Sequence, residues 1–174
     1  PKDVPDDIYY QLIKIAQKKN VQTILDAHGV PFERGLEASP YLAKPDLRAS
    51  NNRVFNKQID SQENAIKIAH EILDRDVQIA VISYQDTKDI IATTEGIWLA
   101  ESVNQQVINI IGTAEAIIAG FAIKLVEENP ENIVEIIKFA MACGLASALT
   151  DDEEFHTKED VVKCINCIKI TKLK

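Results

Sequence analysis

Short apolar runs alternating with helix-length stretches constrain this chain more than any other feature. Val21–Ala27 (VQTILDA), Tyr41–Asp46 (YLAKPD) and Gln78–Ser83 (QIAVIS) are strand-sized and end at breakers or polar residues. A helix is predicted from Ile8 to Lys19, with Ile8, Leu12, Ile15 and Ala16 on one face, and another from Ser61 to Arg75, with Ala65, Ile66, Ala69, Ile72 and Leu73 as its stripe. Ser61 and Asn64 form an imperfect capping box at its start. Residues 48–60 are polar and read as a loop. Asp89–Thr94, a turn at Glu95-Gly96 and Ile97–Glu101 read as a hairpin, and Gln106–Ile111 as one more strand. Then come two helices, Thr113–Glu128, apolar nearly all round and so expected to be buried, and Asn132–Leu149, separated by Asn129-Pro130. A final amphipathic helix spans His156–Ile168. Strands alternating with helices imply an α/β fold, a mostly parallel sheet with helices on both faces, here as a single domain over residues 1–174. No internal repeat of 20–50 residues is visible.

Composition excludes several classes. Hydrophobic residues at 46% and charged residues at 26% provide a core and a solvated surface, so the chain is no disordered tail. Its longest apolar stretches, Ala116–Ile123 and Phe139–Ala146, fall far short of the roughly 20 residues that span a bilayer, so no membrane association is expected. The net charge is −8, and it is regional: residues 1–60 hold 9 of the 19 basic and 8 of the 27 acidic groups, so the excess of acid lies beyond residue 60. Such a chain lacks the basic footprint that a phosphate backbone requires, which excludes nucleic acid as a partner. Three cysteines without a secretory signal point to a reducing, cytoplasmic setting. The chain begins Pro1-Lys2-Asp3 without a Met, which reads as a processed product or a piece of something longer.

Ligands of open α/β sheets bind beyond the carboxyl ends of the strands, where strands turn into helices. The turn that stands out is Ile110-Ile-Gly-Thr-Ala-Glu-Ala-Ile-Ile-Ala-Gly-Phe121. Gly112 permits a tight turn and the helix starts at once. Its first amides lack intrahelical acceptors and carry the positive end of the dipole, so they favour an anion. Glu115 stands in that first turn as a carboxylate beside the cradle. The same residues also fit a capped helix in which Glu115 only complements the dipole.

This segment resembles the signature of the phosphofructokinase B (ribokinase-like) sugar kinases, a Gly-Ala-Gly-Asp turn before a helix ending in Ala-Gly-Phe. The matching run is Gly112-Thr113-Ala114-Glu115, then Ala119-Gly120-Phe121. Leu25-Asp26 and Gly29 resemble the family's strand with an Asp-Thr-Ser-Gly-like end. Leu36–Asp46 resembles its run into Lys-Pro-Asn, Val81–Tyr84 sits where it has Val-Ser-Leu-Gly, and Ala140–Leu149 resembles the Ala/Gly-rich helix beside the adenine pocket. The likeness runs from about residue 1 to 173 and is strongest to the 1-phosphofructokinase and tagatose-6-phosphate kinase branch, in its carboxyl-terminal part.

The resemblance implies ATP-dependent phosphoryl transfer to a sugar phosphate, with Mg²⁺ bridging phosphates. It assigns Glu115 as the base, Gly112, Thr113 and Ala114 as the anion hole, and Ser83, Gln85 and Gly144 to the nucleotide. No residue is assigned to a metal. Glu115 replaces an Asp, Ala114 a Gly, Asp46 an Asn and Ala49 a Glu, while Gln85 and Lys88 replace glycines of the nucleotide loop. Ala114 would be strained if its position needs positive φ. A complete kinase of this kind is roughly 300 residues long, so the partners expected are nucleotide and sugar phosphate, together with a homo-oligomer or the missing amino-terminal half covering an open sheet edge. The alternative is a catalytically inactive relative with a binding or assembly role.

Other signals point to packing or solvation. Cys164-Ile-Asn-Cys167 is a lone CxxC without a second ligand pair, and Cys143 lies in an apolar helix. His28 and His70 have no carboxylate at meaningful spacing, and Asp151–Glu154 reads as a solvated loop. Neither a Walker-type loop nor a full dinucleotide fingerprint occurs.

Overall fold

The structure is a computed structural model; it describes residues 4–48, 50–85, 87–103, 105–127, 132–151 and 155–174. Six strands form one sheet in the order β1-β2-β5-β6-β7-β8, and β3 with β4 forms a separate two-stranded ribbon. The chain divides into two compact units, residues 1–98 with 172–174, and residues 99–171.

In the first unit, α1 (Ile8–Gln17) leads to β1 (Ile24–Ala27), α2 (Gly29–Leu36) and β2 (Leu42–Pro45). The ribbon strands β3 (Arg53–Val54) and β4 (Lys57–Gln58) precede α3 (Gln62–Leu73), β5 (Ile79–Gln85) and β6 (Lys88–Thr93). β7 (Gly96–Ser102) begins in this unit. Strands β1, β2 and β5 are parallel, as the spacing predicts, and β6 turns back antiparallel to β5. The sheet is therefore mixed, with its parallel part confined to three strands. α3 packs on β5 and β6 and buries Ala65, Ile68, Ala69 and Ile72, while Ser61 caps it by accepting the Asn64 amide at 3.2 Å. Fully buried Phe32, Leu36, Leu42, Ile82, Ile90 and Ile91 fill the core. α1 rests mainly on α2, and α2 on β1. The expected α1 stripe is not the buried face: Leu12 and Ile15 are 53% and 54% exposed, Ile8 and Ala16 are half-buried, and the residue that is buried, Ile13, lies outside that stripe.

The loop expected over 48–60 contains the β3–β4 ribbon. Its turn centres on Phe55 and Asn56, both at positive φ (51° and 58°), the geometry of a two-residue hairpin turn. Phe-Asn is not a dipeptide that announces such a turn, so the sequence hides it.

In the second unit, α4 (Thr113–Glu127) packs on α5 (Ile133–Ala148), and α5 also packs on α6 (Lys158–Ile165). Being covered from two sides explains why α5 is apolar almost all round, with Ile136, Ile137, Ala140, Met141 and Ala142 among its buried residues. α4 departs from expectation: Ala116, Ile117, Gly120 and Phe121 are buried, but Val126 is 86% exposed. The strand expected at Gln106–Ile111 does not form. The Ile108 and Asn109 amides instead bond the Ala148 carbonyl at the end of α5, and the Asn109 side chain accepts the Ile111 amide at 2.9 Å, which curls the backbone out of an extended path. The last helix is shorter than expected, and β8 (Ile168–Lys172) follows it. Bonds from the Ile97 amide to the Lys174 carbonyl and from Val103 to Cys167 run β8 antiparallel to β7. Asn129-Pro130, Ala49 and Asp152–Glu154 lie outside the described residues.

Candidate active site

In the first unit the carboxyl ends of β1, β2 and β5 bring together polar groups that are far apart in sequence. Asp26 and Lys44 are direct partners in the β1–β2 register, and Ser83 and Asp89 are direct partners in the β5–β6 register. Leu42 pairs with Ile79 and Ala43 with Ala80, so the same register sets Lys44 beside Val81, two residues before Ser83. Side chains two apart in a strand share a face. Asp26, Lys44, Ser83 and Asp89 therefore lie on one face of four adjacent strands.

Lys44 is only 4% exposed, the one buried charged side chain among the described residues, and its ammonium stands 4.0 Å from an Asp26 carboxylate oxygen. The Ser83 hydroxyl donates a short hydrogen bond to Asp89. Asp89 is half-buried. Burial pushes its pKa above the ordinary range, opposed by the Ser83 bond and by the charge of Lys44. Sequence reasoning singled out Ser83 but passed over Lys44 and Asp89. The available signal was a lysine and an aspartate inside otherwise apolar strands, where such groups rarely sit unpaired.

Gln85 lies exposed at the end of β5, past a register shift that follows Ser83, and pairs with Lys88. At the neighbouring strand ends, His28 Nδ1 is 4.0 Å from Asp46, so the carboxylate neighbour not visible in the sequence is supplied by the residue that follows β2. His28 and Pro45 also border a cavity of about 240 Å³ that reaches Phe32 and the ribbon turn at Phe55.

In the second unit, Gly112 adopts φ 81°, a left-handed conformation that glycine alone takes without strain. Ala114 is not among the positive-φ residues, so the methyl group that replaces the second glycine sits in ordinary helical backbone. The Thr113 amide reaches the Ile110 carbonyl only at 3.4 Å. Thr113 Oγ1 is buried without a hydrogen-bond partner, a costly state that an oxygen-rich ligand would relieve. Glu115 is exposed in the first turn of this 15-residue helix. Gly144 lies in the α4–α5 contact, where a Cβ would stand 2.5 Å from Ile117 Cγ1.

Residues 1–153 match the family model described as pfkB family carbohydrate kinase. The chain belongs to the pfkB family of carbohydrate kinases. It is 23% identical over 173 residues to 1-phosphofructokinase of Bacillus subtilis, covering 99% of this chain and 55% of that protein. It is 27% identical over 150 residues to D-tagatose-1-phosphate kinase of Bacillus licheniformis, covering 86% of this chain and 49% of the relative. A possible 1-phosphofructokinase from Thermotoga maritima superposes with a TM-score of 0.89 at 25% identity, over all of this chain and 55% of that one. The tetrameric inhibited form of phosphofructokinase-2 from Escherichia coli shares the fold, with a TM-score of 0.82 over 95% of this chain and 53% of its own. The pfkB chain thus spans about half the length of the relatives it matches.

Proposed function

We propose that this pfkB chain is the nucleotide-binding half of a sugar-phosphate kinase that transfers a phosphoryl group from ATP. The observation that carries the reading is the Gly112 turn, where a left-handed glycine, the unpartnered Thr113 hydroxyl and the first amides of α4 face one ligand chemistry, an anion. In this reading Gly112, Thr113 and Ala114 hold charge on the transferring group, and Glu115 takes the proton of the sugar hydroxyl. Ser83, Gln85 and Gly144 are the nucleotide positions.

ATP supplies the phosphoryl group, and Mg²⁺ neutralises its phosphates. In this reading the cation is held mainly by the phosphate oxygens of the nucleotide, and no residue of this chain is assigned to it. The free thiols Cys143, Cys164 and Cys167 fit a reducing, cytoplasmic setting. No helix among the described residues is long and apolar enough to cross a membrane.

The partner of this half is the amino-terminal half of the fold. β1 ends the sheet order, and the uncovered Leu12 and Ile15 of α1 need an apolar cover. A homo-oligomer would cover the same surface, and a non-catalytic role in assembly is favoured by that same exposed stripe. Calorimetric titration with ATP, with and without Mg²⁺, tests the binding, and turnover by Glu115→Gln in the completed protein tests the base. Magnesium-dependent binding with turnover abolished by the substitution supports the kinase. Surviving turnover removes Glu115 from its role, and absence of binding by the folded chain up to millimolar ATP favours the assembly role.

A further inference from the structure

A serine hydroxyl has one proton to donate. In this structure Ser83 gives its proton to Asp89, its direct partner across the β5–β6 register, so the contact is built into the sheet rather than left to a mobile loop. The neighbouring cation is committed as well. Lys44 is buried on the same face, 4.0 Å from Asp26, and its charge also acts on Asp89. The ion pair of Lys44 is with Asp26, and its charge reaches Asp89 more weakly from the same face. A phosphate arriving at the end of β5 meets a donor already used and a carboxylate that repels it.

We propose that Asp89 is an internal competitor for nucleotide phosphate, holding the Ser83 proton and part of the Lys44 charge until an incoming phosphate displaces it. The proposal rests on the reading that nucleotide binds at Ser83, and it makes Asp89 a residue that sets how readily this chain accepts an anion there. Asp89 acts through Ser83 and Lys44 and is a positioning residue. The burial that raises its pKa is the same low-polarity setting that strengthens its hold on the hydroxyl.

The test is calorimetric titration of the folded chain with ATP and Mg²⁺, comparing the wild type with Asp89→Asn, Asp89→Glu and the double variant Asp89→Asn/Ser83→Ala. Asp89→Asn keeps the shape and loses the charge; it is expected to bind about tenfold or more tightly, with a gain that shrinks as salt screens the repulsion. Asp89→Glu keeps the charge and should stay near the wild type, and the double variant should lose the part of the gain that comes from the freed Ser83 hydroxyl and keep only the salt-screened part. Wild-type binding with no gain in Asp89→Asn overturns the inference and leaves the nucleotide site standing. Equal shifts in Asp89→Asn and Asp89→Glu reduce the residue to a packing role and also overturn it. Failure of both the wild type and Asp89→Asn to bind ATP sinks this inference together with the site it rests on. Carbon-13 NMR of the wild-type carboxyl groups gives a reading that needs no variant: saturating ATP must move the Asp89 signal as Ser83 lets go, and an unmoved signal in a chain that binds ATP refutes the displacement.

Discussion

Replacing Gly120 by alanine sets two opposed effects against each other, and the structure decides the sign. Alanine is the better helix former by about 1 kcal/mol. Gly120, however, faces α5, and a Cβ there would stand 2.7 Å from Ala140 Cα and 3.2 Å from Cys143 Sγ. Carbon atoms pack at about 3.5–4.0 Å, so α4 and α5 must part by about 1 Å. The obstructing atom is backbone and cannot rotate aside. Overpacking of this kind costs about 1–3 kcal/mol, and a backbone clash belongs at the upper end. The net expectation is a loss of about 1–2 kcal/mol, or about 2–8 °C in Tm for a chain of this length. Urea unfolding gives the measurement, with the slope checked for constancy. Ala122→Gly, at an exposed position of the same helix, isolates the propensity effect and should cost about 1 kcal/mol. If Gly120→Ala proves as stable as the wild type or more so, the close approach of α4 and α5 is wrong, and the placing of the Gly112 turn goes with it.

Three further outcomes follow from the same geometry. Burial, and secondarily Cys164, pushes the Cys143 thiol up to about 11, so at pH 8 only about a thousandth of it is thiolate; a maleimide or disulfide reagent should leave it unmodified until the chain unfolds, as mass spectrometry would show. At the start of α6 the Thr157 hydroxyl and amide, with Lys163, hold the Asp160 carboxyl well below its ordinary range. A depressed folded pKa means that the cap contributes in full above about pH 4 and is lost only as acid passes through the lower folded value, so the signal of the Thr157 amide, which donates to the Asp160 carboxylate, should hold at pH 4 and move in stronger acid. Release between pH 5 and 4 would contradict the capping geometry. Leu12→Lys with Ile15→Lys changes two exposed side chains and should leave the stability of the chain within about 0.5 kcal/mol, while abolishing association with a covering partner in light scattering or pull-down by the amino-terminal half.

The parallel strands were legible because each is short, apolar and rich in β-branched residues, and the Ser61 cap was legible because capping is local. Local patterning also misled. Val107–Ile111 has strand composition, but the Asn109 side chain and the Ala148 carbonyl take its amides. β8 was hidden because Ile168-Lys-Ile-Thr-Lys172 directly continues the apolar spacing of the helix before it. In the candidate site, the Gly112 turn announces itself, since strand end, glycine and helix start are contiguous. The Asp26–Lys44 and Ser83–Asp89 pairs do not, because they exist only once the register of β1, β2, β5 and β6 is fixed. No spacing along the chain carries that information.

The exposed face of α1 bears on what can pack against this chain. α1 rests on α2 and α2 on β1, the last strand of the sheet order. A helix entering a parallel sheet normally lies over the strands it connects, reached by a right-handed crossover. A strand laid parallel on the free side of β1 would extend the parallel part of the sheet beyond three strands. A second copy pairing through β1 about a two-fold axis would bring in an antiparallel strand instead, since an isologous contact uses the same edge on both protomers. β1, at the end of the sheet order, and the exposed face of α1 are thus both open to a covering segment or a second copy, and the relatives, nearly twice as long, extend beyond the part that this chain matches.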